Sequence, residues 1–96
     1  MVDFNIQHNP DRNRFEAVSG EDLLGRVDYQ EHGEVVVLTH TVVEPAAEGQ
    51  GVGSALARTA LDHIRAEGRT VDPQCPFIAT WIDRHPDYAD LVASSA

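Results

Sequence analysis

The sequence predicts an α+β domain in which helices cover a mostly antiparallel sheet. In the first half of the chain, residues 2–8 and 14–18 alternate apolar and polar residues, which is the period of half-buried strands, and two further apolar-rich stretches follow between turns. Apolar residues then recur with a helical period, so the pattern changes from strand to helix near residue 51. Because the chain has 96 residues, we interpret residues 1–96 as a single domain.

Four strands are expected first, and turns rich in Asn, Asp, Gly and Pro separate them. They are predicted at residues 2–8, 14–18, 23–30 and 34–43. The short turns predict an antiparallel meander, and Gly25 marks a candidate bulge in the third strand. The Val- and Thr-rich fourth strand is expected to be the longest and most buried.

A long amphipathic helix is predicted over residues 51–67, with Gly68 as its C-cap. Thr70 and Val71 form a short fifth strand, which Asp72 and Pro73 are expected to break. Pro76 suits the first turn of a second helix, which His85-Pro86 ends. A further helical turn or two is expected at 87–92, and residues 93–96 are expected to fray. Four residues of the second helix are interpreted as core packing: Phe77, Ile78, Trp81 and Ile82.

The charge of the chain argues against several classes of partner. Asp and Glu number 16 against 7 Lys and Arg, giving a formal charge of -9. Nucleic acids and anionic membrane surfaces require clustered positive charge, so neither is an expected partner. Residues 1–5 lack the basic and apolar stretches typical of a secretory signal, and no apolar run reaches membrane-spanning length, so no signal peptide and a cytoplasmic location are expected. A metal site is not expected either: Cys75 is the only cysteine, and no pair of histidines has metal-ligand spacing. We assign no role to His8, His32 or His63.

The junction before the long helix is the most informative segment, because glycines occupy alternate positions at 49, 51 and 53. Glycines allow close backbone approach, and the first amides of a helix lack intrahelical partners, so this junction suits a phosphate. A nucleotide P-loop is excluded because the chain contains no lysine. A dinucleotide fingerprint would place its third glycine at Ser54 and follow a βαβ unit, which the meander does not provide. Two interpretations of the junction remain: it binds the pyrophosphate of an acyl-CoA, or it is a glycine-rich turn without a ligand.

Residues 43–56, VEPAAEGQGVGSAL, resemble motif A of the GNAT N-acetyltransferase superfamily. Three further segments resemble the short, single-domain branch of that superfamily: His40-Thr41, residues 72–77 (DPQCPF) and residues 84–88 (RHPDY). The resemblance implies a truncated GNAT-like fold with acetyl-CoA or coenzyme A lying where the fourth and fifth strands diverge. The implied contacts are the backbone of Val42 and Val43 for the pantetheine and the segment Glu48, Gly49, Gln50, Gly51, Val52, Gly53 and Ser54 for the pyrophosphate.

The sequence departs from the motif at one position, Glu48, and one arginine outside the motif is a further candidate for the CoA site. Glu48 stands where the motif usually has Arg or Gln, so a negative charge lies beside the expected diphosphate. Arg84 is a candidate to reach a CoA phosphate; the alternative is a solvated arginine near the end of a helix.

Cys75 and His40 are the candidate catalytic residues. Cys75 precedes a predicted helix start, where the helix dipole favours a thiolate. The hypothesis is that His40 faces Cys75 near the acyl group, and that Cys75 accepts the acetyl group or helps to deprotonate the amine. The alternative is that Cys75 is a small buried apolar residue.

The predicted function is transfer of an acetyl group from acetyl-CoA to an amine, with a protein lysine or a polyamine as candidates because the protein is acidic. The alternative is a non-catalytic CoA-binding module that serves a protein partner. A monomer or a weak homodimer is expected.

Overall fold

The computed structural model describes residues 3–93, which form one five-stranded sheet and two α-helices. The sheet has the order β1-β2-β3-β4-β5, with β1 to β4 antiparallel and β5 parallel to β4. The predicted α+β class, the meander and the order of elements are confirmed. The bounds are β1 Asn5–Asn9, β2 Arg14–Ser19, β3 Asp22–His32, β4 Val35–Val43, α1 Val52–Ala66, β5 Thr70–Pro73 and α2 Pro76–Asp83, with short 3-10 turns at Pro10–Arg12, Pro45–Ala47 and Pro86–Leu91.

The core lies between the sheet and α1. Phe15, Ala17 and Val27 of the sheet are fully or almost fully buried, as are Leu56 and Leu61 of α1. The α2 helix packs beside the start of α1, where Trp81 Nε1 donates a hydrogen bond to Ser54 Oγ at 2.9 Å. No helix within residues 3–93 is long and apolar enough to span a membrane.

Gly25 allows α1 to lie close against the sheet. A Cβ atom at this position would lie 2.8 Å from the Val42 carbonyl oxygen and 3.2 Å and 3.3 Å from the side chains of Val52 and Leu56. The pairing of β2 with β3 shifts register next to Gly25, because Ala17 pairs with Gly25 and Val18 with Leu23. The predicted bulge is therefore confirmed, and it lies where the helix approaches the sheet.

Several predicted boundaries differ from the structure. The longest strand is β3, with 11 residues against 9 in β4. Asp72 and Pro73 do not end β5 but belong to it, because a proline at the end of a strand has no further ladder bond to break. The Ala93 N–H donates to the Val71 carbonyl at 2.8 Å, so this residue is held against β5. The remaining residues expected to fray, 94–96, lie outside the described residues, as does Val2 of the predicted first strand.

Candidate functional site

The site begins where β4 and β5 stop pairing. Their last pair is Leu38 with Pro73, and the Cys75 N–H then donates to the Leu38 carbonyl at 2.9 Å. From Cys75 the chain turns into α2, whereas β4 continues to Val43. A wedge-shaped opening therefore separates the second half of β4 from the start of α2.

A groove of about 430 Å³ extends from this opening to the start of α1. Its lining combines the far end of β4, the glycine loop, the first residues of α1 and one aromatic side chain of α2. The lining residues are Thr41, Val43, Ala47, Glu48, Gly49, Gly51, Val52, Gly53, Ser54 and Phe77.

Two glycines shape the loop beneath the groove. Gly49 and Gly51 have φ of 80° and 81°, in the left-handed region that side chains rarely adopt. A Cβ atom at either position would meet nothing within 4 Å, so neighbouring groups do not crowd the loop. The glycines are therefore required by the path of the backbone and leave its surface accessible.

The N-terminus of α1 presents free backbone donors to the groove. The first bond within the helix is from the Ala55 N–H to the Gly51 carbonyl, at 3.0 Å. The N–H groups of Val52, Gly53 and Ser54 precede it and have no intrahelical acceptor. Gly51 occupies the N-cap position, and among residues 3–93 no side chain caps this end of the helix. An exposed set of amides at the positive end of a helix dipole favours an anion, most often a phosphate.

The structure brings most of the expected ligand-binding residues together, with two exceptions on the loop and strand. Val43, Glu48, Gly49, Gly51, Val52, Gly53 and Ser54 line the groove. The Val42 side chain is instead 38% exposed and does not line it. Gln50 also lies outside the lining, and its Nε2 donates to the Ala46 carbonyl at 3.4 Å.

Glu48 is an exposed acidic residue on the wall of the groove. Its carboxylate therefore adds negative charge beside the amides that favour an anion. A bound diphosphate would be repelled by this group unless the side chain turns toward solvent.

Cys75 lies at the narrow end of the opening and is only 4% exposed. Its Sγ donates a hydrogen bond to Thr41 Oγ1 at 3.2 Å. Thr41 also lines the groove, so the thiol contacts a residue of the groove wall without forming part of that wall itself.

His40 is not placed against Cys75, contrary to the expected arrangement. Asp28 pairs with His40 and Tyr29 pairs with Leu38, which leaves Thr39 as an extra residue in β4. Side chains on a strand alternate between faces, and this bulge shifts the alternation by one residue. Thr41 rather than His40 therefore points to the face that holds Cys75, and His40 is exposed on the other face.

Arg84 also lies away from the groove. It is the exposed C-cap of α2, whereas Phe77 in the first turn of that helix lines the groove. Seven residues of helix separate them by roughly 10 Å along the axis. The expectation that Arg84 approaches the diphosphate therefore has no support from its position.

Phe77 is a site residue that sequence reasoning assigned to the core. It is 42% exposed and lines the groove, whereas Ile78, Trp81 and Ile82 are buried as expected. A Cβ atom on Gly53 would lie 2.8 Å from Phe77 Cζ, so the ring rests directly on the start of α1. The helical period places Phe77 at the edge of the buried stripe of α2, and this edge position is the sequence feature that could have indicated partial exposure.

The three histidines without an assigned role do not line the groove. His8 of β1 bonds through Nε2 to the Tyr29 hydroxyl at 2.7 Å, and its ring lies 4.6 Å from that of His63 on α1. Desolvation, followed by the neighbouring His63, lowers the pKa of His8 below 6.5. Within residues 3–93, no three His, Cys, Asp or Glu side chains are grouped to hold a metal ion.

Comparison with known proteins assigns the chain to a family. A family model described as GCN5-related N-acetyl-transferase matches residues 14–91, which is most of the chain. The protein belongs to this family of N-acetyltransferases, and acetyl transfer is the general activity that this membership supports. No match emerged among curated proteins.

Solved structures share the fold. A GCN5-like protein from Staphylococcus aureus, determined by NMR in solution, matches with a TM-score of 0.76 and 22% identity, over 100% of this chain and 94% of that chain. Nourseothricin acetyltransferase matches with a TM-score of 0.53 and 21% identity, over 71% of this chain and 55% of its own. At these identities the likeness shows the fold alone.

Proposed function

We propose that the protein transfers an acetyl group from acetyl-CoA to an amine. The observation that carries this proposal is the continuity between the bare N-terminus of α1 and the opening between the second half of β4 and the start of α2. The first feature suits the diphosphate of the donor, and the second suits its extended pantetheine arm. Family membership supports the same chemistry.

The free edge of β4 supplies backbone groups for the pantetheine. The Glu44 N–H donates to the Leu24 carbonyl of β3 at 2.8 Å. Backbone groups in an antiparallel strand point alternately to its two sides, so Val42 also points to β3. Thr41 and Val43 then direct their N–H and C=O groups toward the opening, and these residues take the role expected of Val42 and Val43.

In the proposed reaction the amine nitrogen attacks the thioester carbonyl. A C–N bond forms, the C–S bond breaks, CoA leaves as the thiolate, and the amine loses one proton to it or to a base. The location of Cys75 at the narrow end of the opening supports it as a candidate acyl acceptor or proton acceptor. Transfer through Cys75 would first form a thioester on Sγ, which the amine would then cleave. His40 lies on the opposite face of β4 from Cys75, so it is a candidate proton acceptor only for a substrate group that reaches that face.

The role of Cys75 can be tested directly. Incubation with acetyl-CoA alone, followed by intact mass measurement, should add one acetyl group to the wild type and none to Cys75→Ala if the thiol is acylated. Cys75→Ala should then also lose turnover by a large factor. Absence of the added mass together with full turnover in Cys75→Ala would leave direct attack by the amine as the mechanism.

The acceptor is proposed to be cationic, because the chain carries a formal charge of -9 that attracts cations. Lysine side chains and polyamines meet this description. Release of the CoA thiol in the presence of a panel of peptides and polyamines measures this preference. The rate with cationic acceptors should fall as salt increases, since salt screens such attraction.

A second candidate function is a CoA-binding module without catalysis. The near-complete burial of Cys75 favours it, because a buried thiol is poorly placed to accept an acyl group. Both functions predict that CoA raises the melting temperature, since a ligand at about 100 times its Kd adds roughly 2.7 kcal/mol to stability. Only the acyltransferase also predicts thiol release that depends on an added amine.

A further inference from the structure

Residues 84–88 match the short branch of the family in sequence but lie outside the groove, so they need another explanation. The His85 ring stacks on the Trp81 ring with 3.7 Å between centroids and 13° between planes. His85 Nδ1 lies 2.7 Å from the Trp81 carbonyl oxygen, which only accepts, so Nδ1 carries the proton and donates. The Tyr88 ring packs edge-on against Trp81 at 5.1 Å. This segment therefore holds the indole of Trp81 in place.

A chain of polar side chains also contacts the same indole. The Tyr88 hydroxyl donates to Asp62 Oδ1 at 2.7 Å, and this bond raises the pKa of Tyr88. Arg58 Nη1 in turn donates to the Tyr88 oxygen at 3.3 Å, and the guanidinium carbon lies 5.3 Å from the centre of the Trp81 ring. Trp81 is only 5% exposed, so its orientation is set on several sides.

The fixed indole directs its single polar group at the groove wall. Trp81 Nε1–H donates to Ser54 Oγ at 2.9 Å, and Ser54 lines the groove in the first turn of α1. An indole N–H only donates, so the Ser54 oxygen must accept and its own proton must point elsewhere. Within residues 3–93, the indole is the hydrogen-bond partner of the Ser54 hydroxyl. The hydroxyl proton of Ser54 is therefore free to bond a ligand.

We propose that Trp81 is a positioning residue that turns the Ser54 hydroxyl into a fixed donor for the diphosphate of the donor substrate. The inference rests on the proposed function, because it assigns the groove at α1 to a diphosphate. The Ser54 hydroxyl then adds a side-chain donor to the backbone N–H groups of Val52, Gly53 and Ser54. Trp81 itself does not touch the ligand, since it lies behind Ser54 and outside the lining of the groove.

A double-mutant cycle measures this role through the affinity for CoA. Ser54→Ala removes the donor and should weaken CoA binding about tenfold, which is typical of a lost hydrogen bond to a charged group. Trp81→Phe keeps an aromatic ring against His85 but removes the N–H, and it should weaken binding by roughly three- to tenfold. In the Ser54→Ala background, Trp81→Phe should add less than about twofold, because the group that it positions is already absent.

Ile82→Val is the matched control for a loss of stability in α2. It removes one methylene group from a buried side chain of the same helix but leaves His85, Tyr88, the indole N–H and Ser54 in place. The melting temperature should fall while the CoA affinity stays within about twofold of the wild type. A purely structural role for Trp81 would instead lower affinity equally in the presence and absence of the Ser54 hydroxyl.

The indole resonance gives a second readout that does not require a Trp81 variant to fold. The chain has one tryptophan, so an NMR spectrum of the ¹⁵N-labelled protein contains one indole N–H signal. CoA should shift this signal in the wild type, and Ser54→Ala should remove most of the shift. The inference is overturned if the wild type binds CoA but the effects of the two substitutions are additive, or if the indole signal responds equally in Ser54→Ala. A wild type that does not bind CoA would overturn the proposed function and this inference with it.

Discussion

The two ends of α1 differ in how their backbone groups are satisfied. At the C-terminal end, the Gly68 N–H donates to the Arg65 carbonyl at 3.0 Å and the Arg69 N–H to the Ile64 carbonyl at 3.2 Å. These two bonds form a Schellman motif, with Gly68 left-handed at φ 71°. The Arg69 side chain then pairs with Glu67 and with Glu31 of β3, each at 2.7 Å.

The N-terminal end has left-handed glycines as well, but no side chain in the described part of the chain, residues 3–93, caps it. Gly51 caps the helix without a side-chain hydrogen bond, and the first three N–H groups lie beside the groove. The same residue type therefore accompanies a closed helix end in one case and an open helix end in the other. The position of a glycine relative to a helix does not assign its role, whereas the satisfaction of the adjacent backbone groups does.

The largest expected effect comes from alanine substitutions at the matched glycines of the two ends. Gly51→Ala and Gly68→Ala each force a side chain into a left-handed conformation, at φ 81° and 71°, with no neighbour within 4 Å of the added Cβ. Each should lower the free energy of unfolding by about 1 kcal/mol or more. Gly51→Ala should also weaken CoA binding more than about tenfold, because relief of the strain turns the loop amides away from the ligand.

Gly68→Ala is the control for this prediction, and its CoA affinity should match that of the wild type. Thermal unfolding and calorimetric titration with CoA measure the two quantities separately. Equal loss of affinity in both variants would mean that the open end of α1 is not the binding end.

A smaller effect is expected from the charge at the open end. Glu48→Arg replaces a carboxylate on the groove wall with a cation, and it should tighten CoA binding by roughly fivefold at low salt. The gain should shrink as salt is added, because the Debye length is only about 10 Å at 0.1 M ionic strength. Titration at two salt concentrations checks this expectation.

Glu34→Arg makes the same change of charge in the turn before β4, at the opposite end of that strand from Val43. It should change CoA affinity much less than Glu48→Arg does. If the two variants tighten binding equally, the effect is one of net charge and says nothing about the groove.

The smallest effect concerns the C-terminal end of α1, where His8 packs against His63. The pKa of His8 is lowered from 6.5 in the folded protein, so the unfolded chain binds more protons as the pH falls through that value. Stability should therefore decline between about pH 7.5 and pH 5.5, before the carboxylates titrate. His8→Asn should reduce this decline in melting temperature, while His32→Asn, at an exposed position, should retain it. The same slope in His8→Asn as in the wild type would show that His8 is not its source.

Local pattern was sufficient for most of the fold. The period of α1, the glycine that ends it and the turns of the meander each follow from a few neighbouring residues. Pro73 was misleading, because proline breaks a strand only where its N–H would have been needed. Seen from sequence, the same residue fits the end of a strand or the loop after it.

The backbone path of the candidate groove could be predicted, but the placement of its side chains could not. The glycine loop was identified because its residue types are themselves the signal. His40 was expected to face Cys75 because of its place on the fourth strand, but the bulge at Thr39 directs its side chain to the other face, and this bulge depends on pairing with β3. The contact between Trp81 and Ser54 joins positions 27 residues apart, so no local pattern could indicate it.

The claim that the bare N-terminus of α1 binds a diphosphate can be tested by one NMR titration of the labelled protein with CoA. The amide signals of Val52, Gly53 and Ser54 should show the largest shifts, together with those of Thr41 and Val43, while Gly68 and Arg69 stay unchanged. Binding of CoA with these first-turn amides unmoved, and with shifts concentrated elsewhere on the protein, would contradict the account.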